Sequence, residues 1–385
     1  MSKKLWFLLV LFVCGTAVFA QTTSFTTYLS AQSASNGGIY ASQAGTAELL
    51  LQNPAMFALS QVLMQFADLN VLMNGAGLSM FSSILTGAFD FSNLGLLLAN
   101  LFDEQGRAYI LFDVAGPINF AYSGKGIGFG IYNQTVMSIN VGSVYYANIS
   151  AREDIFVTGG VAYRGDIGAG WWYAGGLKVK GLLRTELYYA DSLLNFMTVL
   201  GTADFFNSAL PFLLTTGIGF DAGAQVGLYD VLTFGIQCDD AFSTLFTTEF
   251  SSLSGFWGDP AGSKITSYVN IPLPNLTAGI TAYPFLNFME QHSLKWNVSV
   301  GYSHMLDLFL PLSRNPILFL SAGTELTILE RLKIAVGVRE ALLAAGITLD
   351  LDTLCVSTAV FGRELGIEPG ERPVYIIMVN VSVKR

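Results

Sequence analysis

The chain has 385 residues, of which 52% are hydrophobic but only 12% are charged, against about 25% charged residues in ordinary soluble domains. This shortage of charge excludes an ordinary water-exposed surface. The 28 acidic and 19 basic residues give a net charge of −9. An acidic chain lacks the basic patch that nucleic-acid binding requires, so no nucleic-acid partner is expected.

The amino terminus has the pattern of a secretory signal peptide. A basic start at Lys3-Lys4 precedes an apolar run at 5–13 and a small-residue cleavage site. We therefore predict a cleaved signal peptide over residues 1–20 and export of the mature chain. The alternatives are an uncleaved helical anchor, for which the apolar run is short, and a lipoprotein modified at Cys14.

Three stretches show no alternation of polar and apolar residues. Residues 47–67 and 186–214 look partly helical, and 85–102 is apolar without a strand pattern. Each is a candidate for a plug inside a barrel or for a loop over its mouth, and packing on the rim without a transport role is the alternative. We assign 21–105 to a plug-like and first-strand region that forms one domain with a barrel over 106–385.

Alternation with a period of two residues recurs through the rest of the chain, as expected for strands whose successive side chains point to opposite faces. About a dozen segments show it, most of them close to the length of about ten residues that a tilted strand needs to cross a bilayer. These segments are 108–114, 116–123, 126–133, 154–164, 170–180, 218–229, 232–239, 276–283, 294–303, 317–328, 332–340, 343–352, 354–362 and 374–383. Apolar-out, polar-in segments of this kind are typical of outer-membrane proteins. We predict an all-β fold, a transmembrane antiparallel β-barrel of 12–14 strands with short helical plug or loop segments.

The segment LKIAVGVRE, at 332–340, is a clear example. Its aliphatic side chains occupy one face, and Lys333, Ala335, Gly337 and Arg339 occupy the other. A closed barrel satisfies every backbone donor and acceptor without exposing a sheet edge to lipid. We therefore expect the aliphatic face to contact lipid and the other face to line the interior.

Four charged residues are candidates for the lining of the lumen: Lys333, Arg339, Asp350 and Asp352. A hairpin that turns at 341–342 would place Lys333 opposite Asp350, a cross-strand pair worth about 0.2–1 kcal/mol. The functional interpretation is a polar lining that sets solute preference. The alternative, which we favour here, is structural charge pairing inside the barrel.

The residue types that most catalytic and metal sites need are scarce. His292 and His304 are the only histidines, and neither lies in a zinc-binding pattern. The glycines of GKGIGFG, at 124–130, fall at every second position of a strand pattern, and no helix follows, so they do not form a phosphate-binding loop. We expect no metal, no cofactor and no enzymatic activity.

The motif Asn53-Pro54-Ala55 follows the small-residue run SQAGTAE at 42–48 and resembles the amino-terminal NPA signature of FadL-like outer-membrane proteins. The carboxy-terminal series 323–340, 343–352 and 361–373 is similar to the closing hairpins of related barrels, including those of spirochaetes. The resemblance implies a barrel of about 14 strands, a plug near the NPA motif, and passage of hydrophobic molecules such as fatty acids across the outer membrane.

From these observations we expect an exported outer-membrane barrel for passive, plug-gated passage of small hydrophobic solutes. Its expected partners are membrane lipid, a hydrophobic solute and the outer-membrane assembly machinery. Two alternatives remain. One is a structural, secretion-associated or surface-antigen barrel that conducts nothing, and the other is a general porin.

Overall fold

In a computed structural model the chain forms a closed, antiparallel β-barrel. The structure describes residues 29–39, 41–42, 52–60, 62–86, 102–117, 119–200, 207, 210–309 and 314–384. The predicted signal peptide at 1–20 lies outside these residues, as does most of the apolar stretch 85–102.

The strands follow one another around the barrel. Their bounds are β1 Leu63–Asn74, β2 Ala108–Ala115, β3 Phe120–Gly124, β4 Ile127–Ser143, β5 Tyr146–Gly168, β6 Trp171–Asp191, β7 Phe212–Leu228, β8 Leu232–Phe250, β9 Lys264–Asn270, β10 Asn275–Ala282, β11 Leu294–Tyr302, β12 Leu320–Ile328, β13 Leu332–Arg339, β14 Leu342–Leu351, β15 Leu354–Glu364 and β16 Pro373–Lys384.

Short helices lie between or beside the strands. The α-helices are α1 Ala31–Ser35, α2 Gly75–Leu85, α3 Leu193–Leu200, α4 Leu253–Gly258, α5 Pro260–Ser263 and α6 Leu286–Gln291, and the 3-10 helices are Pro54–Ala58, Met305–Phe309 and Pro316–Phe319. No helix in the described part of the chain is long and apolar enough to span a membrane.

The barrel closes where β1 pairs with β16. Strands β2 and β3 pair with successive parts of β1 and β4 and share one position in the wall. In the same way β9 and β10 pair with successive parts of β8. The sixteen strands of the described residues therefore occupy fourteen positions, and the prediction of an all-β barrel of 12–14 strands is confirmed.

The two ends of the barrel differ in their connections. At one end β12 to β13 and β14 to β15 are joined by tight turns, whereas at the other end helix-containing connections follow β1, β6, β8 and β11. Short turns face the periplasm and long loops face outward in barrels of this type. We therefore take the end that carries α2, α3 and α4 as the extracellular one.

The wall has the two faces that its sequence predicts. Ile334, Val336 and Val338 point outward and are exposed, whereas Ala335 points inward and is buried. The outer surface is an apolar band, and inward positions carry most of the buried polar side chains.

Several details of the sequence prediction were wrong. Residues 63–67, predicted as the end of a partly helical stretch, begin β1, and residues 317–319, predicted as the start of a strand, belong to a 3-10 helix. The β13–β14 hairpin turns at Glu340-Ala341 rather than one residue later, so Lys333 pairs with Thr348 instead of Asp350. Residues 186–191, predicted as the start of a partly helical stretch, complete β6, and α3 begins only at Leu193.

Candidate functional site

A plug lies inside the barrel. We use this name for the described residues between 29 and 60, which comprise α1, the turn after it, residues 41–42 and the Pro54–Ala58 helix. The side chain of Ser30 caps α1 by accepting a hydrogen bond from the Ser33 amide at 3.0 Å. Ala31 and Ala34 of α1 are buried against inward-facing small and apolar side chains of β14 to β16.

The plug rests on inward-facing glycines in nine strands, which we call the glycine belt. From β14 back to β5 its members are Gly346, Gly337, Gly323, Gly301, Gly279, Gly235, Gly223, Gly176 and Gly160. The plug passes them nearly in the order of its own sequence, from Ser35 at β14 to Phe57 at β5.

The belt is needed because the plug lies closer to the wall than a side chain allows. A methyl group on Gly323 would be 2.5 Å from the Asn36 carbonyl oxygen, and one on Gly337 would be 2.5 Å from the Gly37 amide nitrogen. Real carbon atoms do not approach this closely. Only glycine lets another backbone come so near, so the belt fixes the path of the plug around the wall.

The predicted NPA motif lies in the plug and contacts the belt. Asn53 is fully buried, and its side-chain oxygen Oδ1 accepts the Ala55 backbone amide at 3.0 Å, which caps the 3-10 helix that Pro54 begins. Its side-chain nitrogen Nδ2 donates to the backbone carbonyl oxygens of Ala41 at 2.8 Å and Ile236 at 3.2 Å. Asn53 therefore ties the second half of the plug both to its first half and to β8.

Just beyond the belt, inward side chains of four strands form an apolar layer. Its members are Tyr132, Phe156, Leu182 and Leu245, and they pack against Met56 and Phe57 of the plug. Tyr132 and Phe156 are cross-strand neighbours whose rings stack 5.0 Å apart. Met56 and Phe57 are fully buried here, so apolar plug side chains fill an apolar surface inside the lumen.

A layer of ion pairs borders the apolar layer on its extracellular side. Arg184 donates to both carboxylate oxygens of Asp154, at 2.6 and 2.9 Å, in the bidentate geometry that suits a guanidinium and a carboxylate. Beside this pair Gln134 donates to the Asp113 carboxylate at 2.8 Å. The charges are therefore satisfied within the wall.

A second ionic layer borders the apolar layer on its periplasmic side. The ammonium group of Lys180 lies 2.8 Å from carboxylate oxygens of both Asp221 and Asp240. Lys178 lies 3.0 Å from Asp221 and also donates to the Gln52 carbonyl oxygen of the plug at 3.1 Å. A solute in the apolar layer would thus be enclosed between two charged layers.

The predicted lumen-lining residues lie in different places. Lys333 points inward and donates to Gln32 of the plug at 3.3 Å, and Arg339 points inward beside Gly38. Asp350 pairs with Lys384. Asp352 lies exposed in the β14–β15 turn, 3.3 Å from Arg331. The structure does not bring the four together, and none touches the apolar layer.

The sequence analysis identified no residue of the apolar layer and no glycine of the belt as part of a site. The signal for the belt was present, because glycines recur at the inward positions of Gly223, Gly235 and Gly279. The apolar layer gave no signal, since Phe156 and Leu182 are each followed by another large apolar residue. Inward and outward residues cannot be told apart in such a run.

Comparisons with known proteins found similarity to solved structures. No protein-family model and no curated protein matches the sequence. Among solved structures it is similar to the toluene transporter TbuX of Ralstonia pickettii, with 11% identity, coverage of 93% of this chain and 98% of that one, and a TM-score of 0.48. It is also similar to the toluene transporter TodX of Pseudomonas putida, with 11% identity, 95% and 99% coverage, and a TM-score of 0.45.

A further similar structure is a FadL homologue of Pseudomonas aeruginosa, with 11% identity, 91% and 97% coverage, and a TM-score of 0.42. The resemblance noted in the sequence was also to FadL-like proteins. The comparisons give no support to the part of that resemblance that concerned spirochaetes. At identities and TM-scores this low, the similarity carries no inference about what this chain transports.

Proposed function

We propose that this chain is an outer-membrane barrel for the passive passage of small hydrophobic solutes. The observation that carries the proposal is the apolar layer inside the lumen, filled by Met56 and Phe57 of the plug. A hydrophobic solute could take the place of these side chains if the segment 56–60 moved away. The proposal assigns no catalytic residue, and membrane lipid and an outer-membrane assembly machinery are its expected partners.

The buried apolar surface supplies the driving force. Fully burying a side chain such as Phe57 contributes about 1.5–3 kcal/mol, and a solute of similar size would recover a comparable amount on the same surface. On either side, Arg184 is paired with Asp154, and Lys178 and Lys180 are paired with Asp221, so these buried cations are engaged by carboxylates of the wall. This arrangement favours an apolar solute over a sugar or an ion.

A second candidate function is a barrel that conducts nothing. The observation that favours it is the close seating of the plug on the glycine belt, where backbone meets backbone at Gly323 and Gly337. In that case the plug would be a permanent part of the wall, and Met56 and Phe57 would simply fill the core.

The test begins with the protein purified from native membranes in mild detergent, with mass spectrometry of any apolar molecule released on boiling. The decisive comparison uses two adjacent leucines. Leu182→Asn places an amide in the apolar layer, whereas Leu183→Asn places it on the outer face.

We expect the wild-type protein and Leu183→Asn to release an apolar molecule and Leu182→Asn to release much less. A folded wild-type barrel that binds no apolar molecule, yet swells liposomes in a sugar solution, would contradict the proposal and indicate a general porin. A barrel that does neither would indicate the non-conducting alternative.

A further inference from the structure

The extracellular helices α2, α3 and α4 lie outside the barrel wall. Phe81 of α2 stacks 5.5 Å from Phe112, Phe196 of α3 stacks 6.3 Å from Tyr189, and Phe256 of α4 lies 4.9 Å from Phe250. The aromatic residue that each helix contacts in a strand points outward, because the adjacent residues of that strand point into the lumen. We call these three helices the collar.

Strands β4 to β8 have 17 to 23 residues each and form the taller side of the wall. The collar covers the extracellular part of this side. Ile110, Ile139 and Ile149 are cross-strand neighbours on the outer face of β2, β4 and β5, and they are buried beneath Met80 and Phe196 of the collar. Outward residues of the lower wall, such as Val157, are exposed instead. The wall therefore extends beyond the exposed band on the extracellular side, and the collar covers the outer face of this extension.

A row of outward polar residues separates the band from the collar. Thr135 and Glu153 are paired across β4 and β5 and are joined by a hydrogen bond, and Thr185 follows on β6. From Glu153 down to Tyr163 the strand runs ten residues, which spans about 24 Å at the rise and tilt of a transmembrane strand. That matches the apolar band of about 25 Å in such barrels, so the row marks its outer limit.

The composition of the collar fits a lipid surface better than water. Its three helices contain no charged residue, and they expose Leu78 and, at 77% each, Leu194 and Trp257. Large exposed apolar groups at the edge of a membrane band are suited to the headgroup region, where Trp and Leu bury their apolar parts.

We propose that the collar is a lipid-binding surface that lies in the headgroup region of the outer leaflet and anchors the taller side of the barrel there. This goes beyond the proposed function, because the collar faces away from the lumen and its contact with lipid does not depend on what the barrel carries.

Spin labels test the proposal. In a background where Cys14, Cys238 and Cys355 are replaced by Ala, Ala and Ser, a nitroxide is attached at Leu194→Cys and the protein is reconstituted in phosphatidylcholine–phosphatidylglycerol vesicles. Val336→Cys, in the middle of the lipid-facing band, and Glu104→Cys, in an exposed extracellular turn, are the references. Heat-modifiable gel mobility verifies that each variant is folded.

We expect the label at 194 to lose most of its collisions with a water-soluble nickel reagent relative to the label at 104. Its depth, from the ratio of oxygen to nickel collisions, should fall between those of 104 and 336. Nickel access equal to that at 104 would overturn the proposal. Shielding from both reagents would overturn it as well, since protein rather than lipid would then cover the helix.

Discussion

The two halves of the plug contact the barrel by different means. The first half, residues 35–39 and 41–42, lies with its backbone against the glycine belt, where a single methyl group would collide. The second half meets the belt with its backbone at Pro54 and Ala55, which lie on Gly176, and its later residues, 56–60, contact the apolar layer mainly through the side chains of Met56 and Phe57. A backbone packed directly against the wall cannot shift without a steric clash. Side chains packed on an apolar surface can be replaced there by an apolar solute. The first half is therefore the fixed part, and residues 56–60 of the second half are the part that can move.

Phe57→Ala should have the largest effect on the second half. Removing a fully buried phenylalanine leaves a cavity and lowers the free energy of unfolding by about 3–5 kcal/mol, measured by equilibrium unfolding in detergent. Because the cavity lies in the apolar layer, the variant should also bind an apolar molecule more readily. The control is Phe309→Ala, a site that is 83% exposed. A loss at Phe57 no larger than at Phe309 would rule out the packing described for this half.

Gly176→Ala tests the belt itself. Its methyl group would be 2.8 Å from the Ala55 amide nitrogen and would also meet the Pro54 carbonyl oxygen. Overpacking of this kind costs about 1–3 kcal/mol, and it should displace the plug and raise the leak of small solutes. Gly175→Ala, one residue away, meets nothing within 4 Å and should be near neutral. Equal effects at the two glycines would argue against seating of the plug at this point.

Asn53→Ala removes the link between the two halves. Loss of a helix cap costs about 0.5–2 kcal/mol, and the hydrogen bonds to Ala41 and Ile236 are lost as well. Asn315 is a matched control, because it caps the Pro316–Phe319 helix with the same geometry in an extracellular loop. Only Asn53→Ala should increase solute leak in liposomes. The same leak from Asn315→Ala would show that cap loss alone is responsible.

Lys295→Ala should have the smallest effect. Lys295 and Glu330 form an exposed pair 3.3 Å apart at the periplasmic rim, and exposed pairs contribute about 0–1 kcal/mol. Since neither residue touches the plug, transport should be unchanged. A change in transport here would mean that the rim, and not only the plug, controls passage.

The alternation of residues was enough to predict the barrel, a range of 12–14 strands and the direction of most side chains. The register of the β13–β14 hairpin could not be predicted from the alternation. Glu340 and Ala341 both have positive φ, 50° and 62°, as in the two-residue turns that normally contain Asn-Gly. Without those residues the turn left no sequence signal, and the predicted register was displaced.

The NPA motif was predicted to lie near a plug, but its contacts depend on the path of the chain. Asn53 touches Gly223, which is 170 positions later in the sequence, and nothing local links the two. The collar could not be predicted for a related reason. An apolar helix such as α3 suits the inside and the outside of a barrel equally well, and only the strand face that it covers distinguishes them.

Two engineered disulfides test most directly the claim that one half of the plug is fixed and the other moves. The Ser60 and Ser123 hydroxyl oxygens lie 2.8 Å apart, and so do those of Ser42 and Thr281, so cysteines at either pair are placed to form a bond. In the cysteine-free background, transport of an apolar solute into vesicles is measured before and after reduction. We predict that Ser60→Cys/Ser123→Cys blocks transport until the disulfide is reduced, whereas Ser42→Cys/Thr281→Cys does not. Unimpaired transport with the 60–123 bond closed would contradict the account.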